Sequence, residues 1–120
     1  LVNQEWSLPL PREGHEFISR LLSRSETFQG RVATREQVQV PVTFPQHQEW
    51  VELFGSWWRE GFEKWRQRHA TEPGARCVFL CELGPPPYGI TGADGYELTD
   101  RWTDALIIKA MAERIWTETA

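Results

Sequence analysis

The chain has 120 residues, a net charge of −4, 40% hydrophobic residues and 25% charged residues, as in one ordinary globular domain. The acidic balance argues against a general phosphate-binding surface, so a nucleic-acid partner is not expected. No apolar run approaches the roughly 18 residues of a membrane span, so a membrane partner is not expected either. The segment after Leu1 lacks the basic and then apolar composition of a signal peptide.

Two elements are predicted in the first third of the chain. A short helix is expected from Glu13 to Ser23, because its apolar residues recur at helical spacing. A strand is expected over Glu26–Ala33, since its side chains alternate in character. The alternation places Phe28, Gly30 and Val32 on one face and Thr27, Gln29 and Arg31 on the other.

The middle of the chain is predicted to be a long loop followed by the clearest helix. Thr34 to Glu49 contains two prolines and little periodicity, and loops of this length are usually functional or disordered. Trp50 to His69 carries a broad aromatic stripe at three- and four-residue spacing, which indicates core packing. The stripe consists of Trp50, Leu53, Phe54, Trp57, Trp58, Phe62 and Trp65.

The stretch from Cys77 to Tyr88 is the most informative. Residues 77–82 form a predicted strand that is apolar on both faces until Glu82, which is typical of strands covered on both sides in parallel sheets and barrels. The strand then enters a rigid Gly-Pro-Pro-Pro turn. In a barrel enzyme the carboxyl ends of the strands carry the active-site residues, so Glu82 would belong to the active site. The alternative is that Glu82 only reaches solvent where the strand ends.

Cys77 and Cys81 lie four residues apart on one face of this strand. Their Cα atoms would be roughly 13 Å apart along an extended chain, too far for a disulfide. We expect two buried, reduced thiols, which favours a cytoplasmic setting.

The last predicted element is a helix that runs to about Thr117. Residues 92–95 (Gly-Ala-Asp-Gly) predict a turn before it, Thr99 is the expected N-cap, and Asp100 suits the first turn. The expected buried face contains Trp102, Leu106, Ile108, Met111 and Ile115.

Strands that alternate with helices predict an α/β fold built from parallel β–α units. Two strands cannot form a stable parallel sheet that is covered on both faces. We therefore expect the remaining strands to come from sequence outside this chain or from a partner chain, and we expect the isolated chain to form oligomers or to aggregate.

Several segments between Phe28 and Trp116 carry a family resemblance. They are Gly30-Arg-Val32, Gln37-Val-Gln-Val-Pro41, Trp57-Trp58, Glu82-Leu-Gly-Pro-Pro-Pro-Tyr88 and Asp100-Arg-Trp102. Together they resemble the C-terminal part of a sugar phosphate isomerase/epimerase of the xylose isomerase-like type. The resemblance implies that residues 1–120 are a C-terminal fragment of one (β/α)8 TIM barrel domain, supplying about strands 7 and 8. A complete barrel has about 250 residues.

The resemblance also implies a site and a reaction. In the family, carboxylates and a divalent metal at the barrel mouth move a proton between neighbouring carbons of a small sugar. Glu82 matches the last-strand Glu, a metal ligand and catalytic acid/base, and Arg31 matches an Arg that holds substrate oxygens. Gln29 would also face the substrate. With an amide at this position, the expected metal is a weakly held Mg²⁺ or Mn²⁺ and not Zn²⁺.

The chain departs from the family at three places. Thr27 and Gln29 occupy positions where the family usually has His, and an expected Asp-x-x-His is not recognisable near Val2–Glu5. His15, His47 and His69 are at no ligand position, so surface or capping roles are expected for them. These departures favour a second class, a non-catalytic barrel relative that has lost its metal and binds a sugar-like ligand or a protein partner. A water-facing edge strand would also explain the polar residues of the first strand.

Overall fold

The computed structural model describes residues 7–120, and the expectations for residues 1–6 lie outside that range. The fold is mixed α/β with a small two-stranded parallel sheet. In chain order the elements are α1 (Arg12–Leu22), β1 (Thr27–Gly30), a 3-10 turn (Pro45–His47), α2 (Gln48–Arg68), β2 (Val78–Cys81) and α3 (Arg101–Glu118). No helix within residues 7–120 is long and apolar enough to cross a membrane.

The two strands lie side by side and parallel, which confirms the predicted β–α units. Thr27 pairs with Val78 and Gly30 with Cys81 at the two ends of the register. β1 is followed by α2, and β2 is followed by α3, which packs against both β2 and α2. The strands, at four residues each, are shorter than the predicted segments 26–33 and 77–82.

Helix α2 is the centre of the core. Most of its aromatic stripe is buried as predicted, with Phe62 2% exposed and Trp58 4% exposed, whereas Trp50 and Leu53 are only partly buried. The ring of Phe62 meets those of Phe28 and Phe79 edge to face, which joins α2 to both strands. The helix starts at Gln48, earlier than predicted, because Pro45 opens a 3-10 turn that leads into it.

Gly30 allows the closest contact between the strands and the core. A Cβ atom at this position would lie 2.1 Å from Cζ of Phe79, so the Phe79 ring occupies the space of a side chain. Phe79 in turn packs edge to face on Trp58. Because Gly30 has no side chain, the Phe79 ring of β2 can lie against β1. This contact is at the end of the ladder that precedes Glu82.

The start of α3 differs from the prediction. Asp100, and not Thr99, is the N-cap, and its carboxylate accepts hydrogen bonds from the backbone N–H of Thr103 (2.9 Å) and its hydroxyl (2.8 Å). These bonds hold the pKa of Asp100 below its usual value. Thr99 instead donates its hydroxyl hydrogen to the carboxylate of Asp104, 2.8 Å away.

Two predictions of burial were wrong on α3. Ile108 and Ile115 are buried and Met111 packs against the core, as expected. Trp102 and Leu106 are 69% and 48% exposed, because they lie on the helix face opposite Ile108.

One face of the sheet is also open. Val78 and Leu80 are 53% and 54% exposed, so β2 is covered by this chain on one face only, and not on both as expected. Cys77 and Cys81 are free thiols, as predicted, but they are half-buried and not fully enclosed. Burial raises the pKa of each thiol above its ordinary value. Neither cysteine is therefore an activated nucleophile.

Candidate functional site

Arg31 and Glu82 follow directly after the last residue pair of the sheet. Beyond Gly30 and Cys81 the ladder continues with one more bond, in which the N–H of Glu82 donates to the carbonyl of Gly30 at 2.9 Å. Arg31 is the next residue of the neighbouring strand. Because β1 and β2 are parallel, the two charged residues meet at the same carboxyl end, as the sequence predicted.

A cavity of about 230 Å³ opens beside these two residues. Arg31 and Glu82 both line it, and the exposed ring of Tyr88 forms another part of its wall. The remaining lining residues are Val38, Gln39, Leu83 and Gly84. The cavity thus combines a cation, an anion and an aromatic surface between the segments that follow β1 and β2.

The pKa of Arg31 depends on its burial and on the charge of Glu82. Burial lowers the pKa of its guanidinium, and the negative charge of Glu82 acts in the opposite direction. Nη1 of Arg31 also donates a hydrogen bond to the carbonyl of Val38. The guanidinium is therefore held in place on the segment after β1, and it lines the same cavity as Glu82.

Gln29 lies two residues before Arg31, on the same open face of the sheet. It is exposed and lines a neighbouring cavity of about 400 Å³ together with Arg31, Glu82 and Thr27. Trp57, Trp58 and residues of α1 form the opposite side of this space. All three candidate residues from the sequence, Gln29, Arg31 and Glu82, are thus brought to one surface.

The residues of this surface do not make a metal site by themselves. A Mg²⁺ or Mn²⁺ ion requires several oxygen ligands in a fixed geometry. Glu82 supplies one carboxylate and Gln29 one neutral amide. Among residues 7–120 there is no group of three or more His, Cys, Asp or Glu side chains placed to hold an ion. The segment Val2–Glu5 lies outside the described range.

The histidines are all away from this site, and one prediction about them was wrong. His47 is buried, not at the surface, and its Nδ1 lies 2.7 Å from the carbonyl oxygen of Pro41. It is the N-cap residue of α2, but its side chain makes no capping bond. His15 is exposed on α1, and His69 is the C-cap residue of α2, as expected.

Sequence reasoning missed Gln39, which is only 7% exposed. Its side-chain nitrogen donates to the carbonyl of Gly84 at 3.0 Å, and its side-chain oxygen accepts from the N–H of Gly84 at 2.7 Å. The available signal in the sequence was the position of Gln39 between two valines, Val38 and Val40. A polar side chain that is buried among apolar neighbours requires hydrogen-bond partners. The segment from Thr34 to Phe44 is a loop, as predicted, and its Val40 and Val42 are buried in the core.

Comparison of the chain with protein-family models, with curated proteins and with solved structures finds no match.

Proposed function

We propose that this chain is part of a cytoplasmic sugar isomerase or epimerase with a (β/α)8 barrel, to which it contributes about strands 7 and 8. The observation that supports this most is the placement of Arg31 and Glu82 at one carboxyl end of two adjacent parallel strands. In parallel α/β folds that end carries the chemistry.

The proposed reaction moves a proton between neighbouring carbons of a small sugar. The Glu82 carboxylate takes a proton from the carbon beside a carbonyl, and the electron pair of the broken C–H bond forms an enediolate. The same carboxylic acid then returns the proton to the adjacent carbon, and a hydroxyl proton passes between the two sugar oxygens through solvent, so that the carbonyl and hydroxyl groups exchange places. Arg31 holds the sugar oxygens throughout the reaction, since a guanidinium presents several donors in one plane.

A divalent metal is compatible with this proposal only if further ligands come from elsewhere in the complete protein. A metal would supply Lewis-acid stabilisation of the sugar oxygens. Glu82 and the Gln29 amide would be the contribution of this chain. We propose a weakly held, oxygen-ligated ion, Mg²⁺ or Mn²⁺.

The second candidate function is a non-catalytic barrel relative that binds a sugar-like ligand or a protein partner. The observation that favours it is the chemistry of the open sheet face, where Thr27 and Gln29 stand at positions at which the resembled family has His. A surface with one acid and one fixed cation can bind a polar ligand without moving its protons.

Exchange of carbon-bound protons distinguishes the two functions. The complete protein is incubated in deuterated water with a panel of aldoses, ketoses and their phosphates, and each sugar is followed by proton NMR. An isomerase or epimerase introduces deuterium at a carbon beside the carbonyl even at equilibrium. A sugar that binds at the Arg31 and Glu82 cavity but incorporates no deuterium at any metal supplement contradicts the enzymatic proposal and supports the binding function.

A further inference from the structure

Gln39 connects the two segments that carry Arg31 and Glu82. The segment after β1 contains Arg31 and Gln39, and the segment after β2 contains Glu82 and Gly84. The side chain of Gln39 spans them with two hydrogen bonds, one donated to and one accepted from the backbone of Gly84. The backbone N–H and C=O of Gly84 are thereby both paired with the side-chain amide of Gln39.

The side chain of Gln39 also links Arg31 to Glu82 through two short series of bonds. On one side, the guanidinium of Arg31 is bonded to the carbonyl of Val38, the residue before Gln39. On the other side, Gly84 lies two residues after Glu82, whose own N–H is anchored on Gly30. Arg31 and Glu82 are therefore connected through Gln39 as well as through the sheet.

We propose that Gln39 is a positioning residue that sets the place of the Arg31 guanidinium relative to the Glu82 carboxylate. Its importance for catalysis rests on the proposed function, but the geometric claim concerns residues of this chain alone. Gln39 also lines the 230 Å³ cavity beside both charges. A buried amide that pairs with a backbone N–H and C=O behaves as an added rung between two segments that have left the sheet, and it resists their separation.

The first test follows the amide of Gly84 by hydrogen exchange. Gln39→Leu keeps a side chain of similar size but removes both hydrogen bonds to Gly84. Exchange at Gly84 is expected to accelerate at least about tenfold, from the net value of two hydrogen bonds. Exchange at Glu82, whose N–H bonds to Gly30, is expected to stay within about twofold, because the sheet remains intact. Equal acceleration at both amides would overturn the proposal, because Gln39 would then contribute only general stability.

The second test measures the contact between the charges. The Nε–Hε NMR signal of Arg31 is recorded with and without Glu82→Gln, first in the wild-type background and then in Gln39→Leu. The shift caused by removing the Glu82 charge is expected to fall to less than about half in the Gln39→Leu background. An unchanged shift means that the sheet alone positions the charges, and it would overturn the proposal.

Two further variants keep these tests decisive. Gln37→Leu makes the same chemical change at an exposed position of the same segment, and both readouts are expected to stay at wild-type values. If Gln39→Leu does not fold, Gln39→Met replaces it, because its unbranched side chain also fills the space but has no amide to bond to Gly84. Neither readout requires a substrate. The proposed function can therefore fail while the positioning role stands, and the reverse also holds.

Discussion

The N–H of Glu82 donates to the carbonyl of Gly30, 2.9 Å away, one position beyond the last pair of the strand register. This bond extends the parallel ladder by one position, so that Glu82 and Arg31, the residue after Gly30, both line one cavity at the carboxyl end of the sheet. Gly30 has no Cβ, and the ring of Phe79 occupies the space that a side chain would take. The packing of the sheet against α2 therefore determines where the two charged groups meet.

Arg31→Ala is expected to weaken substrate binding more than it slows turnover. The guanidinium is proposed to hold sugar oxygens in both the ground state and the transition state, so its loss raises KM roughly tenfold to a hundredfold and changes kcat less. Steady-state kinetics of the complete enzyme measure this. Arg35→Ala, at an exposed position of the same segment, is the matched control and should leave KM unchanged. A fall in kcat with KM unchanged would contradict a binding role for Arg31.

Removal of divalent metal is expected to be easy and reversible. The site offers oxygen ligands and no histidine, which suits Mg²⁺ or Mn²⁺ better than Zn²⁺. Dialysis of the complete enzyme against a chelator should remove the metal, and added Mg²⁺ or Mn²⁺ should restore turnover. Elemental analysis that finds one tightly held Zn²⁺ per chain, dependent on Glu82, would contradict this prediction.

His69 is expected to make stability fall as pH rises above the ordinary histidine pKa of 6.5. Its Nδ1 lies 2.7 Å from Glu72, its Nε2 lies 2.7 Å from Glu26, and Arg68 also contacts Glu26. Hydrogen bonds that His69 donates to the carboxylate of Glu72 and then to that of Glu26 raise its pKa above the ordinary value of 6.5. The protonated ring can donate to both carboxylates, whereas the neutral ring can donate to one. Its contribution to stability is thus fully present below pH 6.5 and is lost as pH rises through the raised pKa.

Urea unfolding at about pH 6 and about pH 9 measures this contribution. His69→Gln should lower the free energy of unfolding at the lower pH and have little effect at the higher one. His15→Gln, on the exposed side of α1, is the matched control and should leave the wild-type profile in place. A His69→Gln variant with the wild-type difference between the two pH values would contradict the role given to this cluster.

The 120-residue chain expressed alone is expected to associate. Val78 and Leu80 leave half of their surface exposed on the open face of the sheet, and apolar strand surfaces promote association. Light scattering during size-exclusion chromatography should show oligomers, and Leu80→Gln should reduce them. Leu21→Gln, at an exposed apolar position of α1, controls for general hydrophobicity. A monomer with cooperative unfolding would indicate a self-contained small α/β domain.

The periodic elements of this chain were predictable, whereas contacts between distant segments were not. The alternation in β1 and the aromatic stripe of α2 indicate which faces are buried, and the order of strands and helices predicts the parallel pairing that places Arg31 and Glu82 at one end of the sheet. The exposure of Trp102 was not predictable, because hydrophobicity alone does not reveal which helix face meets the core. The bonds between Gln39 and Gly84 join residues 45 positions apart and depend on the tertiary fold.

The turnover of Glu82→Gln in the complete enzyme, with a sugar that exchanges deuterium, tests the proposed role of Glu82 most directly. The substitution keeps the shape of the side chain and the backbone bond to Gly30, but it removes the charge and the basicity that proton transfer requires. Glu36→Gln, at an exposed position of the segment after β1, is the matched control. We expect turnover to be abolished in Glu82→Gln and retained in Glu36→Gln, with unchanged thermal unfolding in both. Full turnover of Glu82→Gln in the presence of chelator would contradict a catalytic role for this site.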